Sequence, residues 1–138
     1  MRMAATTTIK QTEYIPGVKP QEVYDALVDP RKHAEFTGAK ATGQAKVGAK
    51  FTAWDGYITG KHLQLEPGKR LVQEWSTTEW PTGAQPSRLE WTFVRKSDGT
   101  EVTLLHSEVP SDQAESYRQG WIDYYWEPLK QYFEDQQE

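Results

Sequence analysis

The sequence predicts an α+β domain: a curved antiparallel β-sheet wrapped around one long C-terminal α-helix, with two short helices between strands 1 and 2. Three observations carry this. Six runs of strand-like residues lie between residues 40 and 109, divided by strong turn signals. A helical pattern with its rings on one side follows from 112 to about 133. Between the first strand and those runs, apolar residues recur at helical spacing instead.

Thr6 to Tyr14 alternates as a strand, and Pro16-Gly17 ends it. Pro20 suits the first position of a helix, and Val23, Tyr24, Leu27 and Val28 then share one face of it. Asp29-Pro30 stops that helix and caps a second, which runs through His33 and Phe36 to Gly38. This second helix is short and polar, so His33 is expected to be exposed. Strands are expected near 40–44, 49–55, 57–66, 69–77, 87–96 and 100–109. Asp55-Gly56 and Asp98-Gly99 are hairpin signals, because both residue types tolerate the positive φ of a tight turn. Glu66-Pro67-Gly68-Lys69 is another turn, and residues 78–86, with Trp80-Pro81-Thr82-Gly83, form a loop. Strands joined this closely pair antiparallel.

Pro110 ends the sheet, and Asp112 with Glu115 has the spacing of a capping box. At about 100° per residue, Tyr117, Trp121, Ile122, Tyr124, Tyr125, Trp126, Leu129, Tyr132 and Phe133 occupy one half of the helical wheel. Asp123, Glu127, Lys130 and Glu134 occupy the other. The aromatic half is expected to fill the hollow of the sheet. Pro128 lacks an N–H and should kink the helix or open one hydrogen bond. Arg118 projects from the aromatic arc, either to snorkel toward the helix end or to enter a cavity.

The 138 residues fit one domain, 1–138, with an ordered core over about 6–134. Mean hydropathy is -0.82 and 26% of residues are charged. No stretch approaches the roughly 20 apolar residues of a membrane-spanning helix. Met1 to Lys10 is polar, without the apolar centre of a secretion signal, so a cytoplasmic protein is expected. The absence of cysteine excludes disulfides and thiolate metal sites. A net charge of -4 with basic pairs only at Arg31-Lys32 and Arg95-Lys96 argues against nucleic acid. His33, His62 and His106 lack metal-ligand spacing, and neither a Gly-x-Ser-x-Gly elbow nor a phosphate-cradling glycine loop occurs. No catalytic residue, metal or cofactor is therefore expected.

The aromatic residues are more informative. Leu89, Trp91 and Phe93 alternate along one strand, as do Val102, Leu104 and His106 along the next, so each trio shares a face. Trp121 and Tyr125 come to meet them from the helix, joined by Trp54 and Trp75 if those strands keep the same parity. These rings either fill a core or line a cavity. In a cavity, Trp54, Trp75, Trp91, His106, Arg118, Trp121 and Tyr125 are the candidate ligand-binding residues.

The last helix also carries a recognisable pattern: Arg118-Gln119-Gly120-Trp121, Tyr124-Tyr125, Glu127, Lys130-Gln131 and Phe133. Gly48-Ala49-Lys50-Phe51 before Asp55-Gly56, then Gly60, Trp75 and Trp80-Pro81, support it in order and spacing. From Ile9 to Phe133 the sequence resembles the C-terminal domain of the activator of heat-shock protein 90 ATPase, in the START-like, helix-grip (SRPBCC) superfamily. The resemblance implies the helix-grip fold. It also implies a non-enzymatic, co-chaperone-like or stress-related protein whose partner is a heat-shock protein 90-type chaperone. Trp80, in its loop, is the candidate partner-binding anchor, since interface hot spots favour tryptophan. The activator's separate N-terminal domain, with its Asn/Trp-rich motif, has no counterpart in these residues. The alternative is a carrier or sensor of a small hydrophobic or aromatic ligand held between sheet and helix. A third reading is a cyclase- or hydrolase-like enzyme using His106 and Arg118.

Overall fold

Hairpins build most of the sheet. A computed structural model describes residues 5–137. Strand β1 (Thr6–Pro16) leads to helices α1 (Pro20–Val28) and α2 (Pro30–Thr37), and the chain then runs through β2 (Thr42–Gly43) and β3 (Lys50–Ala53). Strands β4 (Ile58–Glu66), β5 (Arg70–Thr77), β6 (Ser87–Lys96) and β7 (Gly99–Pro110) follow as a meander. The seven strands form one antiparallel sheet in the order β1-β7-β6-β5-β4-β3-β2. Bulges between Thr7 and Ile9 and between His62 and Gln64 interrupt its ladders. Each adds an unpaired residue to one strand and so bends and twists the sheet.

The last helix lies in the resulting hollow as α3 (Ala114–Trp121), a π-helical turn (Ile122–Trp126) and α4 (Glu127–Gln136). Its apolar side and the concave face of the sheet form one continuous core. Leu89, Trp91 and Phe93 of β6 and Val102, Leu104 and His106 of β7 are all buried, as their alternation requires. Each large ring removed from water contributes about 1.5–3 kcal/mol, which makes this layer the main source of stability.

Local chemistry sets the element ends. Asp29 caps α2, its Oδ1 accepting from the N–H groups of Arg31 (2.9 Å) and Lys32 (3.4 Å). Gly38 closes α2 in the left-handed region at φ 79°, a conformation that glycine reaches without Cβ strain. Three expectations are corrected. Asp112 does not cap α3: Gln113 is the N-cap and uses no side-chain cap bond, while Glu115 pairs with Arg118. The turn at Asp55-Gly56 is a single 3-10 turn over Trp54–Gly56, which shortens the strands on both sides of it. His33 is buried, because α2 packs on α4 through Phe36 and Tyr132, with Tyr132 donating to Glu35 Oε1 at 2.9 Å.

The π-turn explains how the helix keeps one face inward. Tyr117, Trp121, Tyr125, Leu129 and Phe133 are all buried, a strict four-residue spacing. In an ideal α-helix that spacing drifts by roughly 40° per step, or about 160° from first to last. One wide turn absorbs an extra residue and returns most of that drift. The turn stands where Pro128 cannot donate to the carbonyl of Tyr124, and Glu127 N–H instead bonds Ile122 C=O, five residues back. Ile122 and Tyr124, placed on the inner half by the regular wheel, consequently face outward.

Candidate functional site

The interior between sheet and helix is nearly solid. A void of about 30 Å3 remains, bordered by Trp75, Trp91, Trp121 and Tyr125 among others, with room for a water molecule. His106 is fully buried at the centre of this region. Trp121 Nε1–H donates to His106 Nδ1 at 3.1 Å, so His106 carries its proton on Nε2 and donates to Ser87 Oγ at 2.7 Å. Ser87 in turn donates to the Trp75 carbonyl at 2.7 Å. Every polar atom of the chain from helix to β5 is satisfied. Burial pushes the His106 pKa down to about 3, and the imidazole is neutral at neutral pH.

His33 makes a second link. Its Nδ1–H donates to the Leu27 carbonyl at 3.1 Å, leaving Nε2 to accept from the Tyr125 hydroxyl at 2.9 Å. Burial lowers the His33 pKa and raises that of Tyr125, so both groups are held neutral.

Open space lies on the other side of Trp121 and Tyr125. A cleft of about 410 Å3 runs between the Trp54–Gly56 turn with the start of β4 and the face of α3 and the π-turn. Trp54, Tyr57 and Ile58 form its sheet side. Tyr117, Gly120, Trp121, Tyr124 and Tyr125 form its helix side. Trp54 and Tyr124 meet edge to face at 5.3 Å. The Tyr57 hydroxyl donates to Glu79, and burial together with that carboxylate raises the Tyr57 pKa. Tyr117 is fixed at two points, donating to Gln113 Oε1 and accepting from Thr77 Oγ1, both at 2.7 Å.

Several locally unfavourable features converge on this cleft. Trp54 and Asp55 both have left-handed backbones, φ 52° and 58°, which is uncommon for a bulky side chain. Asp55 is anchored by Lys40, whose N–H donates to Asp55 Oδ1 at 3.1 Å. Trp54 Nε1 is buried without a hydrogen-bond partner and is the one such side-chain atom among the described residues. Gly120 sits within a helix, where glycine costs about 1 kcal/mol relative to alanine.

Of the candidate ligand-binding residues, Trp54, Trp121 and Tyr125 line the cleft, while Trp75, Trp91 and His106 belong to the filled core. Arg118 joins neither: it lies at the surface with its Nε 3.2 Å from Glu115 Oε2, while its backbone carbonyl accepts from Gln11. His106 and Arg118 therefore share no site. Trp80 packs on Trp75 and Tyr117, both at 6.0 Å, and donates from Nε1 to the Gln85 carbonyl at 2.9 Å. Tyr57, Ile58, Tyr117, Gly120 and Tyr124 also line the cleft and are not among the expected site residues. The available signal was Gly120, a helix-weakening residue inside an otherwise strong helical run.

The comparisons with known proteins agree with this geometry. A family model described as Activator of Hsp90 ATPase homolog 1-like protein matches residues 17–134. The chain belongs to this family. The human protein named activator of 90 kDa heat shock protein ATPase homolog 1 is 34% identical over 126 residues, which cover 91% of this chain and 36% of the human protein. A Dictyostelium discoideum homolog is 32% identical over 117 residues, covering 84% of this chain and 30% of its own length. The chain thus spans about a third of the curated relatives it matches. The crystal structure of an HSP90 activator from Plasmodium falciparum superposes with a TM-score of 0.81 at 21% identity, covering 93% of this chain and 95% of that one. The Hsp90-activator-like fold is the helix-grip fold described above. Within the family pattern of the last helix, Gly120, Trp121, Tyr124 and Tyr125 are the residues that border the cleft.

Proposed function

We propose that this chain is a non-enzymatic, co-chaperone-like protein that binds an Hsp90-type chaperone in the cytoplasm. The family match over residues 17–134 carries the reading. The Plasmodium falciparum activator supports it, because its fold is covered almost end to end by this one domain. The packed interior favours action through the outer surface, since about 30 Å3 offers no room for a substrate. His106, with its pKa near 3 and both ring nitrogens engaged, is a structural link between helix and sheet. No helix among the described residues is long and apolar enough to cross a membrane.

The test uses the purified chain and an Hsp90-type chaperone. Binding by calorimetry and a changed rate of ATP hydrolysis are expected. If neither appears across a range of salt concentrations, the reading is wrong.

A further inference from the structure

We infer that the outer face of the sheet across β2 to β5 is a docking surface for an acidic, extended segment of another protein. This face points away from the last helix, because Ala53, Ile58 and Trp75, which alternate with its residues, are buried in the core. Two rows of side chains cross it in register. One row consists of hydroxyls: Thr42 lies opposite Thr52, Thr52 opposite Thr59, and Thr59 opposite Ser76. Two residues along, Lys50 lies opposite Lys61, and Lys61 opposite Glu74. An open groove of about 380 Å3 runs along both rows.

The lysines are placed at a cost to the fold. Like charges directly opposite on paired strands repel. Lys61 reaches Glu74 only at 3.9 Å, and Lys50 has no ion pair among the described residues. Residues 38–63 hold Lys40, Lys46, Lys50 and Lys61 against Asp55 alone, in a chain of net charge -4. An anionic partner relieves the repulsion that such segregation creates. The hydroxyls add direction. Thr42 and Thr52 meet at 2.6 Å, and Thr59 and Ser76 at 3.4 Å. Each pair uses one of its two O–H donors internally and leaves the other for a carboxylate. Length decides which kind of anion fits. Four strands spaced by about 4.8 Å carry the hydroxyl row over roughly 14 Å. A single phosphate group fills a fraction of that distance, whereas about four residues of extended chain span it.

A fluorescein-labelled, C-terminally amidated hexaglutamate peptide is a suitable probe. At low salt the wild-type chain should bind it saturably, with shifts of the Thr59, Lys61 and Ser76 amide signals in nitrogen–proton spectra. Added sodium chloride should weaken the binding. Lys50→Gln combined with Lys61→Gln should lower affinity by about tenfold, as expected for two exposed ion pairs. That variant should melt at or above the wild-type temperature, since it removes a repulsive pair. Arg95→Gln combined with Lys96→Gln removes the same charge at the β6–β7 turn and should stay within about twofold of wild type. Glu74→Gln, which removes the competing carboxylate, should bind about twofold more tightly. Absence of saturable binding by the folded wild type would overturn the proposal. So would equal losses in the two double variants, which would reduce the effect to net charge. Full displacement by inorganic phosphate at matched ionic strength would also overturn it, making the rows a small-anion site. The probe involves no chaperone, so these outcomes are separate from the test of chaperone binding.

Discussion

Trp121 donates its indole N–H to the Nδ1 of His106, 3.1 Å away, so the last helix is hydrogen-bonded as well as packed to the middle of the sheet. This link can be tested by its absence. His106→Leu leaves the Trp121 N–H buried and unpaired, while Ser87 keeps its bond to the Trp75 carbonyl. The variant should lose about 2–4 kcal/mol in denaturant unfolding. Adding Trp121→Phe, which removes the orphaned donor, should recover at least about 0.5 kcal/mol. Strict additivity of the two losses would show that the bond contributes nothing of its own.

Stability should fall on mild acidification. His33, His62 and His106 all have pKa values lowered by burial from the ordinary 6.5, His106 to about 3. Below pH 6.5 the unfolded chain binds protons that the native imidazoles refuse. Their contribution is whole above that pH and drains as pH falls toward the lowered native values. Each neutral histidine adds up to about 1.4 kcal/mol per pH unit to the slope. Unfolding free energies measured between pH 6 and 5 should show this decline, and His106→Asn should flatten it by about one histidine's worth.

Two glycines should respond in opposite ways. A Cβ at Gly60 would stand 2.1 Å from the Glu74 carbonyl and 2.5 Å from the Phe51 ring. Gly60→Ala should therefore cost at least about 2 kcal/mol, because strand backbone must move. Gly120→Ala meets open space and should be neutral or stabilising by up to about 1 kcal/mol. Paired thermal melts decide the matter.

Deleting Asp123 should leave a folded protein. Asp123 is exposed in the π-turn, and its removal leaves a spacing that an ordinary α-helix satisfies while Trp121 and Leu129 stay inward. Deleting Gln131, beyond the turn, should rotate Phe133 off the core and abolish a cooperative transition. Equal outcomes for the two deletions would contradict the role given to the wide turn.

Arg118→Ala should change stability by less than about 0.5 kcal/mol, since its ion pair with the exposed Glu115 is screened by water. A larger loss in chemical denaturation would show that its stem packs more than the geometry indicates.

Much of this architecture was legible in the sequence. Strict alternation at Leu89, Trp91 and Phe93 fixed an inward face, and the hairpin dipeptide Asp98-Gly99 placed the β6–β7 turn. What escaped had physical causes. A regular wheel assumes 3.6 residues per turn and cannot foresee that Pro128 is accommodated by a wide turn, so it puts the exposed Ile122 and Tyr124 on the inner half. His33 reads as solvent-facing because its own helix is polar, whereas its burial comes from the last helix, which packs on α2 through Tyr132 and reaches His33 with Tyr125, ninety-two positions away. The cleft was partly visible as Trp54, Trp121 and Tyr125. Its openness depends on Gly120 and on the left-handed turn at Trp54, which composition does not reveal.

Among the described residues, strand β1 pairs only with β7, at registers such as Ile9 with His106, and its Gln11 and Glu13 side chains tie it to the last helix. On the ribosome, this strand must wait for α1 to β6 to be made before its partner strand β7 emerges. The slow step of folding should therefore be the closing of that long circuit, as expected for contacts so distant in sequence. A nascent chain stalled before β7 would display Ile9 and Ile15 with nothing to cover them, a state that chaperones recognise.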